Sequence, residues 1–459
     1  MNKNRILLLL SFLLLSAAFF PNLISASAEE KAASKIGIYH WDGAYLKKSG
    51  DPLIEGAEHV KQDGARIINI VVYPYWDYRN GEKFEPSSLT LRARRDDYQK
   101  VLSDPSFETI VVTAFDWASY PMRFAALPAN YERKLILNNV SAEISDFVLY
   151  LAVICNGQKK TFVIKDWEVE NRLGIKTDRL DQPGVSTERW RDYLDYIVAR
   201  QRGVDDGAAR ARSLGLSSVK FLNAVETVNI YALLIPELKE NSVLWQMKEK
   251  GIKTDLVSLS AWQPIYGENG FRIYLGLKYG IGVVSDFVKT NKIAGGLFVG
   301  EFGILPGFDP QLLRYAIDAI NESDAIFGVK WNLYNVGTGW LEQFGDYDGN
   351  GNVTPQGIFM RKFFAGEIPN INPGGVVDAF TRENKTWSGI VEIYGANFAE
   401  RPKVEVAADS DTEKFYAAEI LYVSDRQANV VIPRLPELVG RKVFIRVGNS
   451  NFQSIFLEK

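Results

Sequence analysis

Short apolar runs rich in β-branched residues recur along the first three quarters of the chain, separated by longer stretches with helical spacing. They are "KIGIYHWDG" (35–43), "ARIINIVVYP" (65–74), "FETIVVTAFD" (107–116), "TFVIKDWEVEN" (161–171), "SVKFLNAVETV" (218–228), "TDLVSLSAWQ" (254–263), "GGLFVGEFG" (295–303) and "AIFGVKWNLYN" (325–335). Of the stretches between them, "STERWRDYLDYIVARQRGVDDGAARARSLG" (186–215) reads most clearly as a helix. Ser186 or Thr187 can cap its start, and Gly215 stands where it should stop. Near-continuous apolar strands alternating with helices bury both faces of a parallel sheet. The pattern predicts an α/β fold, a closed (β/α)8 TIM barrel over residues 35–365. A doubly wound open sheet is the alternative. No Gly-x-Gly-x-x-Gly follows the first strand, so a nucleotide cofactor gains no support.

Past the eighth run the pattern changes. "GDYDGNGNVTPQG" (345–357) begins like a calcium loop, with Asp346-x-Asp348-x-Asn350-Gly351. Gly357 then occupies the place where such a loop needs a bidentate acid, so the stretch reads as a solvated turn before a last helix. "GEIPNINPGG" (366–375) reads as a linker. The runs "SGIVEIYGANF", "PKVEVAA", "AEILYVSD", "ANVVIP" and "RKVFIRVGN" then alternate and are spaced by turns, which predicts a small all-β sandwich over 376–459.

Composition narrows the function classes. The 459 residues are 46% hydrophobic and 24% charged, enough for one large domain and a smaller one. A net charge of −3 gives no reason to expect nucleic acid as a partner. "MNKNR", the apolar "ILLLLSFLLLSAAFF" and the small-residue end Ala26-Ser27-Ala28 are the three parts of a secretory signal. Residues 1–28 are therefore expected to be a cleaved leader and the mature protein secreted or periplasmic. An uncleaved anchor is the bland alternative, but the apolar stretch falls short of the ~20 residues a span needs. No later segment reads as long and apolar enough to cross a bilayer. Cys155, the single cysteine, lies in "FVLYLAVIC" and reads as a buried inert thiol; no intramolecular disulfide can form. With only His40 and His59, a histidine metal centre is poorly supported, and neither metal nor cofactor is expected.

In a (β/α)8 barrel the carboxyl ends of the strands surround one pocket. Those ends carry His40 and Trp41, then Tyr75 and Trp76, then Asp116 and Trp117. The fourth carries Glu168, Glu170 and Asn171, the fifth Glu226, the sixth Trp262 and Gln263, the seventh Glu301, and the eighth Trp331 and Asn332. Carboxylates and indoles dominate, and sugars suit such a set. Their C–H faces stack on aromatic rings, and their hydroxyls need planar acceptors and donors. Breaking a glycosidic bond needs two carboxyl groups, one to protonate the departing oxygen and one to attack or to activate water. Against this, any single aromatic can be packing under a loop, and Glu301 can be a salt bridge closing the barrel end.

"VGEFG" at the seventh strand resembles the nucleophile motif of clan A glycoside hydrolases, especially the cellulase-like family 5, and Trp331 is similar to their sugar-platform tryptophan. The resemblance implies Glu301 as nucleophile and a strand-four glutamate as acid/base, for which Glu168 in "KDWEVEN" best matches. Two departures stand out: Trp167 precedes Glu168 where the family usually has Asn, and Ser260-Ala261-Trp262 stands where it usually has a Tyr touching the nucleophile. "IYGANFAERPKVEV" followed by "NVVIPRL" resembles the immunoglobulin-like IPT/TIG domains, modules that usually accompany others.

The acid stays open among three candidates. Asp166, Glu168 and Glu170 should share one face of strand four, so Glu170 can replace Glu168, and Glu226 is a third choice. The expected function is an exported retaining, endo-acting glycoside hydrolase acting on a β-linked polysaccharide or oligosaccharide. Its carboxyl groups should lie about 5–5.5 Å apart; inversion would need about 6.5–9.5 Å. The competing readings are a carbohydrate-binding barrel without turnover and an adhesion or scaffold protein whose sandwich does the binding.

Overall fold

The computed structural model describes residues 35–41, 51–73, 88–119, 131–175, 184–265, 270–335, 343–368, 370–378, 384–386, 389–399, 402–408, 411–423, 427–448 and 450–458. The leader 1–28, Tyr75 and Trp76 lie outside these residues.

All eight apolar runs form strands: β1 (Ile36–His40), β2 (Ile67–Val72), β3 (Thr109–Ala114), β4 (Lys160–Lys165), β5 (Val219–Thr227), β6 (Leu256–Ser260), β7 (Leu297–Phe302) and β8 (Gly328–Lys330). They pair in parallel and in sequence order, and β8 closes on β1. Alternation divides each strand between two cores. Ile38, Ile70, Val112 and Ile164 point outward under the helices. Tyr39, Val71, Val111, Val163, Ala224, Leu256 and Phe298 fill the interior of the barrel. This filling makes the barrel interior a packed core.

The helix predicted over 186–215 spans Thr187–Ser213. Ser186 caps it, its Oγ accepting the Arg189 N–H, and the Leu216 N–H returns to the Ala211 carbonyl past Gly215 at φ 77°. It packs along the helix Tyr131–Ile154. By length and composition Glu132–Ile154 is apolar enough to cross a membrane, which corrects the expectation that nothing after the leader is. Its apolar residues serve the barrel instead: Val140, Ile144, Phe147, Val148 and Leu151 are buried in the outer core. Cys155 follows it, buried, and burial pushes its thiol up to about 11.

The stretch 345–357 turns into the helix Pro355–Ala365. Asp346 is buried against Lys330, and Asp348 accepts the N–H groups of Asn350 and Asn352, so both acids of the calcium-like pattern serve the turn.

The C-terminal region is two sheets. One has the order β10 (Lys385–Thr386), β17 (Gln453–Leu457), β16 (Arg441–Val447), β12 (Val404–Ala408) and β13 (Asp411–Ala417). The other runs β14 (Glu419–Val423), β15 (Gln427–Val431), β11 (Ile390–Ala396) and β9 (Asn370–Asp378). Strand β9 begins inside the stretch read as a linker. Pro373 has no N–H to donate, and β9 sits at a sheet edge where the pairing with β11 shifts register, a position that tolerates proline.

The sandwich meets the barrel through an aromatic cluster. Phe452 is 1% exposed; its ring stacks on Phe415 at 6.0 Å and lies 5.5 Å from Tyr315 and 6.1 Å from Tyr274. The Arg446 guanidinium covers Phe452, Phe415 and Tyr315 and pairs with Glu405. Replacing Phe452 with Ala should destabilise the protein by about 3–5 kcal/mol. Calorimetry should then resolve separate sandwich and barrel transitions; one unshifted endotherm would show that the attachment does not depend on this ring.

Candidate active site

Glu301 owes its position to an irregularity in β7. Val257, Ser258 and Leu259 of β6 pair with Leu297, Phe298 and Val299, and Ser260 then pairs with Glu301, passing over Gly300. The same extra residue shows against β8, where Val299 pairs with Gly328 and Phe302 with Lys330. A bulge of this kind re-aims a side chain. Gly300 permits it, since a Cβ there would stand 2.0 Å from Ser258 Oγ and 2.5 Å from Glu226 Oε1. The carboxyl at the end of "GGLFVGEFG" therefore turns toward the barrel mouth.

Glu168 arrives by a different route. Strand β4 ends at Lys165, and Asp166 points outward to the Tyr193 hydroxyl and the Arg172 guanidinium. Trp167 faces inward beside Trp41, with ring centroids 6.4 Å apart. Continued alternation would send Glu168 outward with Asp166. Its backbone takes φ 22°, ψ 81° instead, a sparsely populated region for a non-glycine residue that costs about 1–3 kcal/mol and is concentrated at functional sites.

Together the two turns put both carboxyl groups in one cavity of about 300 Å³, lined by Trp167, Glu168, Trp262, Glu301, Leu305, Trp331 and Phe344. One hydroxyl links them. Ser260 Oγ lies 2.7 Å from Glu168 Oε1 and 3.3 Å from Glu301 Oε2, so these legs leave the two carboxyl oxygens no more than 6.0 Å apart. Asn171 Nδ2 donates to Glu168 Oε2, and Trp262 Nε1 donates to Glu301 Oε2 at 3.2 Å. Glu301 Oε1 is buried and has no hydrogen-bond partner among the described residues.

Burial, and then the neighbouring carboxylates, raise the affinity of both groups for a proton. Glu168 is pushed up by desolvation and by Glu226, against Ser260, Asn171 and Lys165. Glu301 is pushed well above the ordinary 4.5 by desolvation, Glu168 and Glu226, with Lys165 and Trp262 opposing. Two such groups titrate as a pair that retains one proton where free carboxylates have lost theirs.

The aromatic walls are held from behind. Trp331 packs 5.6 Å from Trp41 and 4.7 Å from Tyr39, and Trp262 lies 5.2 Å from Phe344. The Trp331–Asn332 peptide is cis. Buried Lys330 donates to the carbonyls of Asn332 and Phe344, and Asn332 Oδ1 accepts the Trp41 N–H.

Other residues expected at the mouth lie elsewhere. His40 points outward from β1, where Nε2 hydrogen-bonds the Pro52 carbonyl and the ring meets Tyr334. Desolvation lowers it to about 3, so it is neutral; Tyr39 takes the inward place. Asp116 is buried under the helix Thr187–Ser213, accepting from the Tyr196 hydroxyl and the Ser119 N–H. Glu170 is not on a strand face at all. It sits in the short helix Val169–Arg172 and accepts from the Thr227 hydroxyl and the Val228 and Val243 N–H groups, with burial pushing it up to about 7. Glu226 does point inward, but it lies beneath the cavity, paired with Lys165 and Ser258. Gln263 caps the turn at Ile230 and Tyr231. Ser260, Lys165, Leu305 and Phe344 were not singled out for these places from the sequence. Inward parity on β4 and β6 could have flagged the first two, whereas Leu305 and Phe344 come from loops without a periodic signal.

No protein-family model matches the chain, and no curated protein matches it. Solved structures similar to it include a calcium-binding mutant of Bacteroides uniformis beta-glucuronidase 2, at 12% identity and TM-score 0.47 over 93% of this chain. The chain spans 46% of that protein's length. A GH5_18 variant from Bifidobacterium longum subsp. longum, in complex with Manb1-4GlcNAc, aligns at 12% identity and TM-score 0.48, covering 72% of this chain and 78% of the other. The endo-beta-1,4-mannanase from Thermotoga petrophila aligns at 11% identity and TM-score 0.43, covering 92% and 97%. Likeness at this level leaves the chemistry to be read from the site.

The raised affinity of Glu301 for its proton has a consequence for stability. Between the ordinary 4.5 and its value in the fold, the native state holds more protons than the unfolded chain, so this residue's contribution falls as pH rises. Glu301→Gln cannot ionise. Its stability relative to wild type, measured by urea unfolding, should therefore increase from pH 4 to pH 8; a flat difference would mean that Glu301 ionises as freely as in water.

Proposed function

We propose that the chain is a glycoside hydrolase that cleaves a β-linked polysaccharide or oligosaccharide with retention, by double displacement on Glu301 and Glu168. The observation that carries this reading is the Ser260 bridge. It confines the nearest carboxyl oxygens to 6.0 Å or less, which favours the ~5–5.5 Å spacing of retaining pairs over the ~6.5–9.5 Å of inverting ones. In the reactive form the shared proton resides on Glu168, and the Trp262 N–H holds the negative charge on Glu301. Glu168 protonates the glycosidic oxygen while the Glu301 carboxylate attacks the anomeric carbon. Glu168, now ionised, takes a proton from water, which attacks the glycosyl–enzyme and releases the sugar with its original configuration. Trp331, Trp262, Trp167 and Phe344 present aromatic surface to the C–H faces of the sugar rings.

The leader-like residues 1–28 support export to the periplasm or the medium. Trp167 in place of the family's asparagine favours one competitor, a barrel that binds glycans without cleaving them. A reducing-end assay across a polysaccharide panel separates the two. Wild type should release sugar from at least one member, and Glu301→Gln and Glu168→Gln should each lower that rate by about 10²–10⁴-fold without loss of fold. Proton NMR of the first-formed product should show the β-anomer. Equal background release by wild type and Glu301→Gln, with binding retained, would establish the non-catalytic barrel.

A further inference from the structure

The buried Lys165–Glu226 pair lines no part of the cavity, yet it touches the proposed acid directly. Both side chains are 0% exposed, and Lys165 Nζ lies 2.7 Å from each Glu226 oxygen. Ser258 Oγ donates to Glu226 Oε1 at 2.7 Å, and Glu226 Oε2 accepts the backbone N–H of Glu168 at 3.1 Å. Glu168 is the residue at φ 22°, and its carbonyl accepts the Arg172 N–H of the short helix that follows. The charged and polar groups facing Glu226 are Lys165 and Glu168 from β4 and its turn, Ser258 from β6 and Glu301 from β7. Beneath Lys165 lies the Tyr39 ring of β1, its centroid 5.5 Å from Nζ. Lys165 supplies the countercharge without which a carboxylate could hardly remain at this depth.

We propose that Lys165 and Glu226 are positioning residues for Glu168: the pair grips its amide from the neighbouring strand, holds the left-handed turn, and so aims its carboxyl at Ser260 and Glu301. The proposal rests on Glu168 being the general acid/base. A core ion pair with no further role could be exchanged for neutral residues of similar size with little effect on chemistry.

Three paired variants make the test. Lys165→Met with Glu226→Leu removes both charges and the acceptor for the Glu168 N–H. Lys165→Leu with Glu226→Met does the same in a different shape, in case the first does not fold. Lys165→Met with Glu226→Gln removes both charges but keeps an amide oxygen as acceptor. Crystal structures of the apolar variants should show Glu168 out of its 2.7 Å contact with Ser260, and the Gln variant should retain that contact.

Rates are read on aryl β-glycosides. A 2,4-dinitrophenolate departs without protonation, whereas a 4-methylphenolate needs the acid. The apolar variants should lose about 10²-fold more on the second than on the first, and the Gln variant should restore the balance. An unmoved Glu168 in an apolar variant, or equal losses on both leaving groups, would overturn the proposal. If wild type cleaves no aryl glycoside and releases no sugar from the polysaccharide panel while Glu168 moves as expected, the hydrolase reading fails and the positioning role stands.

Discussion

A single serine hydroxyl within reach of two buried carboxyl groups sets the terms for everything around it. Bringing Glu168 and Glu301 this close in a poorly hydrated place raises the affinity of both for a proton, through burial first and then through carboxylate neighbours, Glu226 for Glu168 and both of these for Glu301. The same closeness is unfavourable for folding. It persists because the eight-stranded barrel, with cores inside and outside its sheet, leaves the strand ends little freedom to relax.

Two local departures from regular geometry bring the groups together, and each depends on neighbours from other strands. The bulge in β7 needs Gly300, because Ser258 and Glu226 occupy the space a Cβ would fill. The left-handed turn at Glu168 meets the same Glu226 through its amide. One buried glutamate thus borders both distortions, and Lys165 balances it. On the opposite wall Lys330 has the corresponding part: it ties the carbonyls of Asn332 and Phe344 together and so fixes the aromatic surfaces beside the acids. Buried lysines on β4 and β8 therefore support the site from below without entering it.

The C-terminal sandwich is joined to the barrel's flank through Phe452, Phe415 and Arg446, which pack against Tyr274 and Tyr315. The junction makes Phe452 part of the barrel's outer core, while the sandwich keeps a core of its own around Val391, Val406 and Ile445. Strand β9 then starts at residue 370, and the proline-containing stretch that reads as a linker is an edge strand of the second sheet.

The number of strands and their order, the long helix after Ser186 and the carboxylate waiting at the end of the seventh run could all be read from sequence, because burial on both faces imposes an apolar signature on every strand of such a barrel. Which side chains enter the mouth could not. Alternation assigns His40 and Tyr39 to opposite sides of β1, but sequence alone does not say which side faces the interior. At β4 alternation itself ends, since Asp166, Glu168 and Glu170 leave the strand in three directions: to Tyr193, to Ser260, and to the amides of Val228 and Val243. Those directions are set by backbone dihedrals and interstrand register, and both depend on contacts between residues distant in sequence. The chemistry at the strand ends was therefore written in local pattern, and its aim was decided by tertiary packing.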